Sequence, residues 1–307
     1  MSKILVSGGA GFIGSNLVDK LVELGHQVVV IDSLFSGKKE YLNQSATFYQ
    51  LDIFSPEVST IFAEEKFDYV YHLAAQIDVR KSVEDPIFDN QVNILGGLNI
   101  LSNCQKYKVK KIMFASSGGA IYGFPKEIPT PETYPPYPVS PYGINKLSFE
   151  KYLNYYYRVL GQEYVALRLA NVYGPRQYKG GEAGVISIFV DNAVNGKKSY
   201  IYGDGFQTRD YIYVDDVVNA FISAMTDGVI GEFNIGTGVE KNLLDIILAI
   251  ENALDQKVEV EYLEPKMGEE RRSCLDFSRV QDAIGWKPQI DFNQGIKKTI
   301  NWSKNNK

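Results

Sequence analysis

The sequence predicts an α/β protein, a doubly wound parallel sheet with a smaller C-terminal α/β lobe, and two observations carry that prediction. Short apolar runs alternate with helical stretches through the first half, at Ile4–Val6, Val28–Ile31, Thr47–Gln50, Tyr69–Leu73, Lys111–Ala115 and Glu163–Leu169. Such alternation packs as parallel strands covered by helices on both faces. The turn after the first run then spaces its glycines as Gly8, Gly11 and Gly14, ahead of a helix expected from Ser15 to Leu24. Glycines there let the backbone turn tightly and approach a pyrophosphate, which the helix N-terminus meets with its N–H groups and dipole. The second run ends in Asp32, at the distance where a carboxylate binds the ribose hydroxyls of NAD and repels the 2′-phosphate of NADP. The sheet is therefore read as Rossmann-type and its cofactor as NAD.

Ligands of such sheets lie beyond the C-terminal ends of the strands, which makes Gly8, Asp32, Asp52, Ala74, Ala75, Ser116, Ser117 and Asn171 candidate site residues. After Gly174-Pro175-Arg176 the alternation loosens. A loop is expected from Gly180 to Gly184, a helix from Ser187 to Asn195, a strand from Ser199 to Gly203, a helix from Leu243 to Leu254, a strand from Val258 to Tyr262 and a last helix from Phe292. Residues 1–175 are read as the cofactor domain, with 212–240 returning to it, and 176–307 as the substrate lobe. No repeat or low-complexity linker separates them.

Composition excludes several function classes. At 307 residues and 45% hydrophobic the chain can bury a large core, and its net charge of −5 is spread without long runs of one sign. Nucleic acid and anionic membranes are therefore not expected partners. Cys104 and Cys274 are too few and too far apart for a disulfide framework or a metal knuckle. His26 at a turn and His72 at a strand end have no third ligand near them and read as structural, so no metal site is expected. The first strand starts by Lys3, which leaves no apolar core for a signal peptide, and no run approaches membrane-spanning length; a cytoplasmic location is expected.

The chemistry points to Tyr142-Gly-Ile-Asn-Lys146. One helical turn apart, the ammonium shares a face with the phenol and can stabilise its phenolate. The spacing alone is weak, since Tyr107/Lys111, Tyr122/Lys126 and Tyr262/Lys266 repeat it. Pro125 and Pro265 disfavour a helical turn in two of these, and Tyr107/Lys111 lies at a strand entrance. Only Tyr142 begins a credible helix, after the N-cap and first-turn pair Ser140-Pro141. Ser117, at the end of its strand, is placed to face the same site.

With the glycine loop, Asp32, His72-Leu-Ala-Ala75, Asn93, the Ser116–Tyr122 segment, Tyr142/Lys146 and Leu167-Arg-Leu-Ala-Asn171 in order, the chain resembles the extended short-chain dehydrogenase/reductases. Gly203-Asp-Gly, Arg209-Asp-Tyr-Ile-Tyr-Val-Asp-Asp216 and Asn234-Ile-Gly-Thr-Gly238 match the sugar-nucleotide branch, most closely the UDP-glucose 4-epimerases. The resemblance implies NAD contacts at Gly8, Gly11, Phe12, Ile13, Gly14, Asp32, Ser36, Gly37, Asp52, Ile53, Leu73, Ala74, Ala75, Asn93, Ser116, Tyr142 and Lys146. It implies a UDP-sugar held by Ser117, Gly118, Asn171, Val185, Tyr200, Tyr202, Arg209, Lys266, Arg271 and Ser273. In that family the tyrosine removes the proton of the sugar's 4-hydroxyl while C4 gives hydride to NAD, and the 4-keto sugar turns over and takes hydride back on its other face. Relatives commonly form homodimers through the helices carrying Asn93–Tyr107 and Tyr142–Leu160.

Three positions depart from the family pattern. Gly118 stands where a catalytic Ser or Thr is usual, with Ser117 the nearest replacement. Lys266 stands for a diphosphate-binding arginine, which Arg271 could replace, and the small Ser273 stands for a bulky gate of the sugar pocket. A 4,6-dehydratase would need an Asp-Glu pair where Gly119-Ala120-Ile121 lie. An enzyme of UDP-uronic acids is the runner-up, with Arg80 available to a sugar carboxylate, and a non-catalytic nucleotide sensor is the reading from another class; the sensor is disfavoured by the retained Tyr/Lys pair.

Overall fold

The computed structural model describes residues 1–177, 184–265 and 271–306. Six strands come first: β1 (Lys3–Ser7), β2 (Gln27–Asp32), β3 (Thr47–Gln50), β4 (Tyr69–His72), β5 (Lys111–Ser117) and β6 (Glu163–Leu169). Three more, β7 (Asn171–Tyr173), β8 (Ser199–Tyr202) and β9 (Thr208–Tyr213), leave that sheet, and β10 (Gly231–Ile235) returns to it. The sheet runs β10-β6-β5-β4-β1-β2-β3, every neighbouring pair parallel. Strand order reverses at β1 and β4, and a crevice opens where their connections diverge to opposite faces.

Both faces are covered, so the strands are apolar on both sides. Ile4 and Val6 of β1 and Val28 and Val30 of β2 point into one core with Leu17, Val18 and Leu21, while Leu5, Val29 and Ile31 point into the other. The second core is closed by Val58, Ile61 and Phe62, by Ile100, Leu101 and Cys104, and by Phe149 and Leu153. Each set is spaced to lie on one helix face.

The helix after the glycine turn spans Phe12–Glu23, earlier than the sequence suggests. Gly14 belongs to its first turn rather than to the loop. A Cβ at Gly14 would fall 2.1 Å from the Gly8 carbonyl oxygen, and Gly8, at φ +77°, lies so close to the Leu73–Ala74 backbone that its own Cβ would meet Ala74 N at 2.6 Å. The glycines thus bring loop, helix and the end of β4 into contact. The Pro141–Leu160 helix starts at the expected cap, where Ser140 Oγ accepts from Gly143 N at 3.2 Å, and ends at Gly161 in the left-handed region.

Beyond β6, β7 pairs with β9, which also holds the short strands β11 (Glu240–Lys241) and β13 (Arg272–Ser273); β12 (Val260–Leu263) pairs in parallel with β8. Helix Val185–Val194 starts two residues before the expected Ser187 and packs against Leu243–Leu254 and Phe292–Asn305. Asn242 caps the middle one reciprocally with Asp245. The expected loop at Gly180–Gly184 falls, except for Gly184, outside the described residues.

Candidate active site

At the C-terminal ends of β1, β2, β4, β5 and β6 lies a cleft of about 530 Å³. One end is main chain. Gly8, Gly11, Phe12, Ile13 and Gly14 form its floor, with Asp32, Ser33, Phe35 and Ser36 on one side and Asp52, Ile53, Leu73, Ala74 and Ala75 on the other. The Asp32 carboxylate is 6% exposed and accepts from Ala10 N (2.9 Å) and Leu34 N (2.8 Å). Burial raises its pKa, and these two N–H groups work against that rise. Two donors leave carboxylate lone pairs free for hydroxyls in the cleft. Gly37 does not line the cleft; its missing side chain makes room for Asp32, since a Cβ there would meet Oδ1 at 2.9 Å. The cradle of glycine backbone and a carboxylate turned toward hydroxyl-bearing ligand fits a dinucleotide such as NAD.

The other end is side chain. Tyr142, Lys146, Ser117, Leu169, Ala170 and Val172 line it. Lys146 Nζ lies 5.6 Å from the centre of the Tyr142 ring and 4.7 Å from that of Phe114, and donates to the Ala115 carbonyl at 2.9 Å. Burial pulls its pKa down to about 8, against Asp89 and Glu150, whose charges pull it up. Ser117 lines the cleft, and its hydroxyl has no hydrogen-bond partner among the described residues.

Environment separates the four Tyr/Lys pairs. The Tyr122 hydroxyl is buried between Asn234 Oδ1 (2.8 Å) and Arg168 Nη1 (2.8 Å), and burial pushes its pKa up to about 12. Lys111 is buried at the opposite end of β5, against the carbonyls of Ala224 and Thr226. Lys266 lies outside the described residues, so the fourth pair is not described.

Two expected cofactor contacts stand off the cleft, Gly37 as described and Asn93. Asn93 is 4% exposed and does not line the cleft: its amide accepts from Gln76 N (3.1 Å) and donates to Gln76 O (2.9 Å) and Asp89 Oδ1 (3.1 Å). It braces the wall from behind, and Gln76 itself faces the cleft. Ser116 does line the cleft, and its hydroxyl donates to Glu150 Oε1 at 2.6 Å. Gly118 is a third correction. It is buried beneath Leu275, and a Cβ there would fall 2.4 Å from Leu275 Cδ1, so the expected substrate wall carries methyl groups at this place.

The remaining substrate candidates among the described residues lie outside the cleft's lining. Asn171 opens β7, Val185 opens its helix, and Tyr200 and Tyr202 project from the exposed face of β8. Arg209 on β9 stands in register with Ser273 on β13, and its Nη1 donates to the Thr208 carbonyl at 2.8 Å. Ser273 is 8% exposed, whereas Arg271 is at the surface, paired with Asp204 at 3.0 Å.

Sequence reasoning missed what holds the centre in place. Glu150 is fully buried and grips Arg168 of β6 through two contacts, Nε–Oε1 at 3.1 Å and Nη2–Oε2 at 2.7 Å. The signal was present: Glu150 follows Lys146 by one helical turn, on the Tyr142 face. Lys81 sits 4.4 Å from the Phe35 ring and 4.8 Å from the Phe88 ring, tying the loop after β2 to helix Pro86–Asn90 across the cleft. His72 bonds Ser7 Oγ at 2.7 Å, and burial pulls its pKa down to about 3, which leaves it neutral. Among the described residues no three His, Cys, Asp or Glu side chains could together hold a metal ion, and no helix is long and apolar enough to cross a membrane.

Solved structures with this architecture span nearly the whole chain. The UDP-glucose 4-epimerase of Thermotoga maritima, solved with UDP-glucose, is 46% identical with a TM-score of 0.97, covering 99% of either chain. The UDP-glucose 4-epimerase of Thermus thermophilus, solved with NAD, is 41% identical with a TM-score of 0.93, covering 98% of each. A UDP-N-acetylglucosamine 4-epimerase from Methanobrevibacter ruminantium, in complex with UDP-N-acetylmuramic acid, is 36% identical with a TM-score of 0.93, over 98% of this chain and 97% of that one. Residues 4–236 match the NAD dependent epimerase/dehydratase family, and the chain belongs to that family.

Proposed function

We propose that the protein is an NAD-dependent UDP-hexose 4-epimerase that interconverts UDP-glucose and UDP-galactose and also takes the N-acetylated pair. The observation that carries this is the placement of Tyr142 and Lys146 in the same cleft as the glycine loop and Asp32. NAD bound there supplies a reversible hydride acceptor for C4 of the sugar. Tyr142 takes the proton of the 4-hydroxyl and returns it after the 4-keto sugar has presented its other face. Lys146 holds a positive charge beside the ring and favours the phenolate. Ser117 supplies the hydroxyl that Gly118 lacks. Arg209, with Lys266 and Arg271, meets the diphosphate, while Asn171, Val185, Tyr200 and Tyr202 hold the uridine. In this reading 1–175 with 212–240 bind the cofactor and 176–307 bind the nucleotide-sugar.

The N-acetyl activity rests on Ser273, a small side chain where the resembling epimerases carry a bulky one. A relative named for UDP-N-acetylglucosamine supports it. Incubating the purified protein with UDP-glucose, UDP-galactose and their N-acetyl counterparts, without added cofactor, and following the anomeric NMR signals tests the whole reading. Epimers at C4 are expected, and no product from any of them would overturn it.

The enzyme is further proposed to be a cytoplasmic homodimer. Its buried thiols Cys104 and Cys274 suit a reducing compartment. Leu95, Tyr152 and Tyr155 are exposed around an apolar groove between helices Gly97–Lys106 and Pro141–Leu160, a surface suited to a second copy. Sedimentation at micromolar concentration should give a dimer, and Tyr155→Glu a monomer.

A further inference from the structure

Lys146 lies buried at the wall of a site whose proposed chemistry depends on its charge. Its surroundings divide into neutral, ion-paired and amide-held groups. His72 of β4 is neutral, and Phe114, Ala115 and Ser116 of β5 offer a ring, a carbonyl and a hydroxyl that is already given to Glu150. Glu150, on the lysine's own helix, also favours the ammonium, but it is held in two places by the buried Arg168 guanidinium, whose opposite charge offsets part of its field. On the neighbouring helix Val79–Glu84, Arg80 and Glu84 are exposed to solvent and Lys81 caps the Phe35 and Phe88 rings.

Asp89 remains. It is fully buried in helix Pro86–Asn90, and the partners of its carboxylate are three amides: Gln76 Nε2 on Oδ1 at 2.7 Å, Asn93 Nδ2 on Oδ1 at 3.1 Å and Asn145 Nδ2 on Oδ2 at 2.7 Å. Amides solvate an anion without neutralising it. Asn145 is the residue before Lys146, Gln76 faces the cleft, and no cation among the described residues lies within ion-pair distance of Asp89. A buried, uncompensated carboxylate so placed has a long-range field unscreened by water.

We propose that Asp89 is the remote counter-ion of the Lys146 ammonium, a positioning residue that acts on the reaction through that lysine. The three amides complement it, because they hydrogen-bond the carboxylate without bringing a cation to it, as a direct partner such as Arg168 would do. Glu150 and Asp89 are thus two buried acids near Lys146, one paired with Arg168 and one held by amides alone. The proposal rests on the epimerase reading for its consequence, but not for its test.

The test follows the Lys146 side chain itself by NMR, in cofactor-bound protein carrying 13C-labelled lysine, through a pH titration. In Asp89→Asn the Lys146 midpoint should fall by about one pH unit or more relative to wild type. The alkaline limit of turnover should move down with it while KM for the UDP-sugar changes less than about twofold. Asn145→Ala deletes one hydrogen bond and keeps the charge, so its midpoint should stay within about 0.3 unit. If Asp89→Asn does not fold, Asp89→Ala, where water can serve the amides, carries the same expectation. A midpoint unmoved in a folded Asp89 variant, or moved equally by Asn145→Ala, would overturn the proposal. A wild-type protein that epimerises nothing would defeat the functional reading and leave this titration intact.

Discussion

The two ends of the cleft are built by opposite means. The cofactor end is backbone: a strand, a glycine turn and a helix contiguous in the chain, closed by one carboxylate at the end of the next strand. The end proposed to be catalytic is side chains brought together from β5, β6, β7 with the residue before it, and the Pro141–Leu160 helix. A backbone site is fixed once the local turn forms. A side-chain site depends on every element that carries it, and its chemistry depends on burial that only the assembled fold supplies.

The sharpest way to break that contrast is Tyr142→Phe. It keeps the ring and deletes the proton, so kcat should fall by about 10² or more while UDP-sugar and NAD still bind. Stopped-assay NMR with calorimetric binding checks both halves. Near-normal turnover would show that the catalytic end does not depend on this side chain.

Arg209→Ala tests whether the substrate's diphosphate is met by side chain as well. A charge-assisted contact of about 1.5–3 kcal/mol corresponds to a rise in KM of roughly 10- to 100-fold, equal for every UDP-sugar. A rise confined to one sugar would place Arg209 at the ring instead.

The sequence was legible where structure is local. The parallel strands, the glycine turn, Asp32 and the Ser140-Pro141 helix start were all readable because each is set by neighbours in the chain. Asn93 and Gly118 were misplaced for the opposite reason. Asn93 spends its amide on Gln76 and Asp89, and Gly118 is roofed by Leu275 from the far end of the chain. No motif records such meetings. The amides that hold Asp89 come from three separate segments and were invisible as a set, whereas Glu150 could have been found from helical spacing alone.

Selectivity is expected to be smaller in effect. Ser273→Tyr should lower kcat/KM for UDP-N-acetylglucosamine by about tenfold and spare UDP-glucose, as loss of space costs only the larger group. Equal losses on both would show that other residues close the pocket.

Lys146 allows a test of stability against charge. Its pKa of about 8 lies below the ordinary 10.5, so the cost of burying the ammonium is full below pH 8. That cost is relieved as pH rises from about 8 to 10.5, because the unfolded chain there binds the extra proton. Cofactor-free wild type should therefore gain stability through that window relative to Lys146→Met, and the variant, though poor in activity, should melt a few degrees higher at pH 7. Parallel melting curves across the window would mean that the lysine is hydrated in solution.

Ser117→Ala carries the smallest expected effect and bears most directly on how the catalytic end is assembled. The usual hydroxyl position is closed, since Gly118 lies under Leu275, and Ser117 is the neighbouring residue whose hydroxyl faces the cleft without a described partner. A hydroxyl that shares the Tyr142 proton would be worth more than one that merely lines the wall. Turnover should fall by about three- to tenfold with KM unchanged, because the contact matters while the proton moves. A loss below about threefold would mean that water completes the relay, and Gly118→Ser would then discriminate further: its side chain must displace Leu275, so any gain in rate would come only with a shifted β13 neighbourhood, visible in the amide spectrum of Ser273 and Cys274.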